Sequence, residues 1–218
     1  MKNYFYLILP LFLLLLTACN NEESIERTES NSSSNKVEIP PSNKHKTQTS
    51  IKKVASKKEV APKEYKFIFK DLEHHATTLK IKNDIYHFSN IKQPIVMVSF
   101  FSTWCPPCRG QIPHLSNLQK KFKNNLFILS ALVHDDCSNE KLKKFIIAQK
   151  VMFFVSNNQK ENLDFAKMIT PKLGLTKDFP LPLMILFVNG KYFTHYEGIM
   201  PEEMIESDIQ QVLKKIKK

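Results

Sequence analysis

From residue 63 onward, short runs of large apolar residues take turns with segments whose apolar residues recur every three or four positions. Tyr65–Phe69 predicts a first strand, and Thr77–Ile81 and Asp84–Phe88 predict short strands or a hairpin. Pro94–Phe101 strings together Ile, Val, Met and Phe with no polar alternation, the signature of a strand buried on both faces. Ile112, Leu115, Leu118 and Phe122 then fall at helical spacing. Leu126–Val133 reads as another buried strand. Glu140–Gln149 reads as a helix with Leu142, Phe145 and Ile146 on one face. Val151–Val155 reads as a strand and Leu163–Ile169 as a short helix. Leu183–Val188 and Tyr192–Tyr196 flank Asn189-Gly190, a strong hairpin turn signal. Pro201–Ile216 predicts a closing amphipathic helix, with Pro201 in its first turn. Strands alternating with helices predict an α/β fold: a central mixed sheet flanked by helices, an N-terminal β extension, and an antiparallel edge from the last hairpin.

The first 62 residues obey a different pattern. Lys2 precedes an apolar run, Tyr4–Leu16, which is short for a membrane span and right for a signal-peptide core. The run ends in Leu16-Thr17-Ala18-Cys19, which resembles the bacterial lipobox. Residues 1–18 are therefore expected to be a lipoprotein signal peptide and Cys19 the lipidated new N-terminus. Such a residue would hold the chain at a membrane surface outside the cytoplasm, with inner and outer membrane undecided. Residues 19–62 carry Ser, Asn, Lys, Glu and Thr with almost no large apolar side chains, so they cannot offset their ordering entropy by burial. We expect a tether with an r.m.s. reach of roughly 35 to 40 Å, followed by one folded domain over 63–218. Within the tether, Glu29-Ser30-Asn31-Ser32-Ser33 matches the acidic-x-Asn-x-Ser/Thr glycosylation pattern at Asn31, a match that such a composition produces readily by chance.

Charge and composition narrow the function. The net charge is +11, and much of the excess lies before the domain and in Lys214, Lys215, Lys217 and Lys218. Without a helix-turn-helix or an aromatic-interleaved basic motif, this reads as a solvated surface rather than a nucleic-acid interface. Only 4 glycines are present, which argues against a Gly-rich phosphate loop. The 4 cysteines, Cys19, Cys105, Cys108 and Cys137, do not have the spacing of a structural disulfide framework. Cys105 and Cys108 sit where a buried strand gives way to a helix. There the unpaired N–H groups and the macrodipole favour a negative charge, so Cys105 would be held as thiolate. Two intervening residues let the sulfurs close a disulfide, and Pro106 costs little in a first turn. Trp104 would shield the pair from one side. Structural zinc would require further ligands, and haem attachment would require His where Arg109 stands. No metal or cofactor is called for.

Val98-Ser99-Phe100-Phe101-Ser102-Thr103-Trp104-Cys105-Pro106-Pro107-Cys108-Arg109-Gly110-Gln111-Ile112-Pro113 resembles the active-site segment of the TlpA/ResA-like thioredoxin family. Pro182-Leu183-Met184-Ile185-Leu186-Phe187-Val188-Asn189-Gly190-Lys191 resembles the same fold's second signature. The resemblance covers about residues 63–216 and implies a thioredoxin-like fold. It makes Cys105 and Cys108 the catalytic pair, with Trp104, Pro106 and Pro107 as active-site support. Pro182 would be a cis-proline, with Pro180 as the alternative, and the Leu181 backbone would hold substrate. It implies an extracytoplasmic thiol–disulfide oxidoreductase. Such an enzyme would reduce protein disulfides, apocytochrome c among the candidate clients, and draw electrons from a membrane donor protein. An oxidase or isomerase is the alternative; a copper-delivery lipoprotein fits poorly, because those carriers resemble a C-x-x-x-C pattern. Two positions depart from the family. Gln111 stands where members often carry Glu, and Ser99 where thioredoxin has a buried Asp.

Other polar residues admit plainer readings. Cys137 reads as a passive thiol, and His134, Asp135 and Asp136 as a strand-end polar loop rather than a metal site. His114 reads as an ordinary helix histidine, and His74-His75 as part of a turn. Arg109 could stabilise thiolate or attract anions, or do neither.

Overall fold

The computed structural model describes residues 63–216. The expected signal peptide, Cys19, the expected tether and Asn31 lie outside the described residues.

Eight strands and four α-helices follow in the order β1 (Tyr65–Lys70), β2 (Ala76–Lys82), β3 (Ile85–Phe88), β4 (Ile95–Phe101), α1 (Pro106–Lys121), β5 (Leu126–Leu132), α2 (Asn139–Ala148), β6 (Phe154–Ser156), α3 (Gln159–Ile169), β7 (Leu183–Val188), β8 (Lys191–Glu197) and α4 (Glu202–Ile216). Strands β1, β2 and β3 form a small antiparallel sheet, while the main sheet runs β6-β5-β4-β7-β8. There β4 is parallel to β5 and antiparallel to β7.

Every residue of β4 is buried, as its unbroken apolar run predicts. Because side chains alternate across a strand, its residues sort into two cores. Val96, Val98 and Phe100 face Phe165, Ala166 and Ile169 of α3 and the inner face of the small sheet. Ile95 and Met97 face Leu115 and Leu118 of α1 and Ile205, Ile209 and Val212 of α4. A third cluster sits at the C-terminal end of the sheet and joins Phe101, Leu132, Leu142 and Val155 to Cys105 and Cys108. The expected α/β architecture and its N-terminal β extension are thus as the pattern implied.

Three elements differ from expectation. The β6 strand begins at Phe154 rather than Val151. The backbone N–H groups of Lys150 and Val151 instead close the end of α2, bonding to Ile147 and Ile146 carbonyls, and that of Met152 bonds to Ser116 Oγ. The α3 helix starts four residues earlier than the apolar spacing suggests, at Gln159. Its first turn is polar because it binds β1: Glu161 Oε2 accepts from Ile68 N–H, and Asn158 Nδ2 donates to the Ile68 carbonyl. Thr170–Leu173 then continues as a 3₁₀ turn. Finally, Pro201 precedes the first helical residue of α4, Glu202.

Candidate active site

The site forms where β4 ends. Val133 N–H bonds to the Phe101 carbonyl, and Ser102 Oγ donates to the Val133 carbonyl, so the strand ladder runs on into the loop. The next residues are tied to the loop after β5. Thr103 N–H bonds to the carboxylate of Asp135, and Trp104 Nε1 donates to the His134 carbonyl at 2.9 Å. The Arg109 guanidinium, one turn into α1, returns to the Thr103 carbonyl at 2.7 Å. The Ser102–Trp104 turn is thereby fastened from both sides.

Cys105 is the N-cap of α1, with extended backbone (φ −81°, ψ 113°) and Pro106 in the first turn. Its Sγ accepts the backbone N–H of Cys108 at 3.2 Å. A helix N-cap leaves backbone donors without helical partners, and the Cys105 sulfur takes up one of them. Cys105 and Cys108 are joined as a disulfide, with Cα atoms 5.3 Å apart.

The chain returns to this point from far away in sequence. Because β7 is antiparallel to β4, with Leu183 opposite Phe100, the start of β7 lies beside the end of β4. The carbonyl oxygen of Leu181 lies 3.7 Å from Cys105 Sγ. The Leu181–Pro182 peptide bond is cis, and that before Pro180 is not among the cis bonds. The Pro182 carbonyl is used by Gly198 N–H.

The two sulfurs have different surroundings. Cys105 lines an open groove of about 440 Å³, together with Trp104, Pro106, Pro107, His134 and the segment from Lys177 to Leu181. Trp104 leaves 59% of its surface in solvent and forms one wall of this groove. Cys108 lines an inner cavity with Ser99, Gln111, Ser130 and Pro182. Gln111 is buried; its Oε1 accepts Met200 N–H at 2.7 Å. Its Nε2 is the one buried side-chain polar atom among the described residues that has no partner.

The remaining polar candidates separate clearly. Asp135 is buried and accepts from Thr103 N–H and Cys137 N–H. His134 and Asp136 are exposed, so this triplet does not converge on a metal. Cys137 is a half-buried free thiol. His114 lies 3.5 Å from Glu202 on α4. His75 pairs with Asp71, whose hydrogen bond and charge hold the imidazole pKa above its usual 6.5. Sequence reasoning placed Asp135 in a polar loop but missed its bond to Thr103, and with it Gln159, whose amide brackets Asp135's own N–H and C=O. The available signal was position: a carboxylate just beyond the end of a buried strand lies next to whatever follows the neighbouring strand.

A thioredoxin-like sheet with a C-x-x-C disulfide capping its first helix defines a thiol–disulfide oxidoreductase of the thioredoxin class. Residues 69–179 match the AhpC/TSA family, and the chain belongs to that family. Within it the TlpA/ResA-like proteins are its relatives. The chain is 27% identical over 157 residues to the thiol-disulfide oxidoreductase ResA of Bacillus thuringiensis subsp. konkukian, covering 72% of this chain and 80% of that one. Two crystal structures from Chlorobium tepidum share the fold. One is a thioredoxin-family thiol:disulfide interchange protein, with TM-score 0.53, 17% identity, and 71% of this chain and 99% of that chain covered. The other is a thiol:disulfide interchange protein DsbE, with TM-score 0.50, 22% identity, and 68% and 94% covered.

Proposed function

We propose that this chain is a membrane-tethered, extracytoplasmic reductase of protein disulfides, with Cys105 as attacking thiol and Cys108 as resolving thiol. The observation that carries the assignment of roles is the different outlook of the two cysteines. Cys105 borders the groove that a client can reach, and Cys108 borders the inner cavity. Cys105 thiolate attacks a client disulfide and one client sulfur leaves as thiolate, giving a mixed disulfide. Cys108 then attacks Cys105 Sγ, the second client sulfur leaves, and the enzyme is left oxidised. Two electrons have passed to the client, so a membrane donor protein must return two to the Cys105–Cys108 pair.

Leu181 supplies main-chain groups beside Cys105 that suit an extended client segment, with Trp104, Pro106, Pro107 and Pro182 shaping the approach. The apolar run ending at Cys19 supports the tether, and the resemblance of Val98–Pro113 to the TlpA/ResA-like active-site segment puts apocytochrome c among the candidate clients. Anchoring is tested by fractionation: Cys19→Ala releases the chain from the membrane.

The decisive experiment is trapping. Cys108→Ser accumulates covalent adducts with disulfide-containing clients, whereas Cys105→Ser accumulates none; the reverse pattern refutes the roles. Direction is read from the reduction potential of the pair. A value near or below about −270 mV supports reduction, and one near about −120 mV makes the chain a disulfide-forming enzyme instead.

A further inference from the structure

The inner cavity at Cys108 gathers Ser99 and Gln111, the two positions that depart from the patterns named with the family resemblance. They stand 12 positions apart in sequence. Ser130 joins them because β4 and β5 pair Ser99 directly opposite Ser130. Alternation places both serines on the face that carries Met97 and Ile128, and those residues pack against α1. Gln111 follows Cys108 by three residues on α1, so the two share a helix face.

The orientation of the Gln111 amide is determined by its partner. Met200 N–H can only donate, so the end of the amide bonded to it must be oxygen. The NH₂ end is therefore left over, buried and without a protein partner. An unpaired buried donor costs about 1–3 kcal/mol, and buried polar groups of this kind are ordinarily satisfied by water. The cavity offers about 10 Å³ to the centre of a water molecule, the least that holds one water. It also supplies the two to four polar partners that a buried water requires: Gln111 Nε2, the two serine hydroxyls and the Cys108 sulfur.

We propose that one buried water sits in this cavity, accepting from Gln111 Nε2 and donating to Cys108 Sγ, and that Gln111 is the positioning residue that stabilises the resolving thiolate in place of a carboxylate. This rests on the assignment of Cys108 as resolving thiol. The water's oxygen is engaged by the amide, so its hydrogens point away, one toward sulfur and one toward a serine hydroxyl. The charge logic differs from that of a carboxylate, which would take the thiol proton but repel the thiolate. Here a neutral donor favours the thiolate and takes no proton. In the resolving step the Cys108 thiolate attacks Cys105 Sγ, the Cys105–client bond breaks, and the client sulfur leaves with the electron pair. The proton that Cys108 released is balanced by the one that the client thiolate takes up from solvent. No other group in the cavity competes: among its lining residues, from β4, α1, β5, the 151–153 segment, β6 and Pro182, Cys108 is the one titratable side chain. The apolar cluster around it brings Cys105 and Cys137, and Asp71, Glu73 and Lys143 line the groove beyond Phe153 and Val155.

The test isolates Cys108. The full chain, in detergent, carries Cys19→Ser, Cys105→Ser and Cys137→Ser, and the ¹³Cβ resonance of Cys108 is followed against pH. Gln111→Met removes the donor at similar volume. Gln111→Glu keeps an oxygen for Met200 N–H but loses the NH₂. Both variants are expected to raise the thiolate midpoint by about one pH unit, a roughly tenfold loss of thiolate at neutral pH. An unchanged midpoint in either variant overturns the proposal. Should a variant misfold, the wild-type chain still decides: a cross-relaxation peak between the Gln111 side-chain amide hydrogens and water is expected, and its absence overturns the proposal. No client takes part, so a failure to reduce clients would sink the functional reading without moving this titration.

Discussion

Replacing Asp135 with alanine should weaken the whole domain, because one carboxylate holds together the two loops that make the active-site end of the sheet. Its oxygens accept from Thr103 N–H and Cys137 N–H, and no other acceptor serves either group among the described residues. A hydrogen bond to a charged acceptor contributes about 1.5–3 kcal/mol, so two set an upper range of about 3–6 kcal/mol. Thr103 and Cys137 are only half-buried, and water recovers part of the loss once the carboxylate is gone. The expected net cost is about 2–4 kcal/mol. With a urea slope of about 2 kcal/mol per molar, the unfolding midpoint of the oxidised protein falls by about 1–2 M with little change in slope. Asp135→Asn keeps one uncharged acceptor and should lose about half as much. If Asp135→Ala unfolds within about 0.5 kcal/mol of the parent, as an ordinary surface substitution would, the loop tie is not what holds this end together.

Phe165 is fully buried and touches the rings of Phe67, Phe69 and Phe100, so it joins the small sheet to the main one. Phe165→Ala should cost about 3–5 kcal/mol, with amide exchange in β1 and β2 accelerating more than in β5; uniform acceleration would refute the joining role. The imidazole of His75, raised by Asp71, should titrate above 6.5 by NMR and move back toward it in Asp71→Asn. Its stabilising contribution is fully present below the unfolded value and is lost as pH rises through the folded one. A midpoint indifferent to Asp71→Asn would contradict that pairing.

Much of this was legible in the residues because burial writes itself into pattern. The two-sided core around β4 is visible as an unbroken apolar run, and the Asn189-Gly190 turn is visible as chemistry, both residues taking positive φ. The β2–β3 turn uses Asn83 and Asp84, also at positive φ, and a strand prediction starting at Asp84 absorbed half of it. What stayed illegible was polar and long-range. The first turn of α3 looks like loop because its Glu161 and Asn158 serve the backbone of a strand about 90 residues away. Asp135 looks like one acid of a surface pair until its loop meets Thr103. The two cysteines are evident from spacing, yet nothing local tells which faces the groove. That follows from the register that lays β7 beside β4.

The same register dictates an order of events as the polypeptide is made. Cys105 and the Leu181 carbonyl that abuts it are 76 residues apart, and contacts of such span are completed late in folding. A chain delivered N-terminus first presents its cysteine pair while the segment from Lys177 to Pro182 has yet to arrive. During that interval the thiols can react with any oxidant or stray cysteine they meet. Only when β7 docks does the pair acquire its selective, half-enclosed approach, so the newborn protein's window of indiscriminate chemistry lasts as long as its last hairpin takes to reach the sheet.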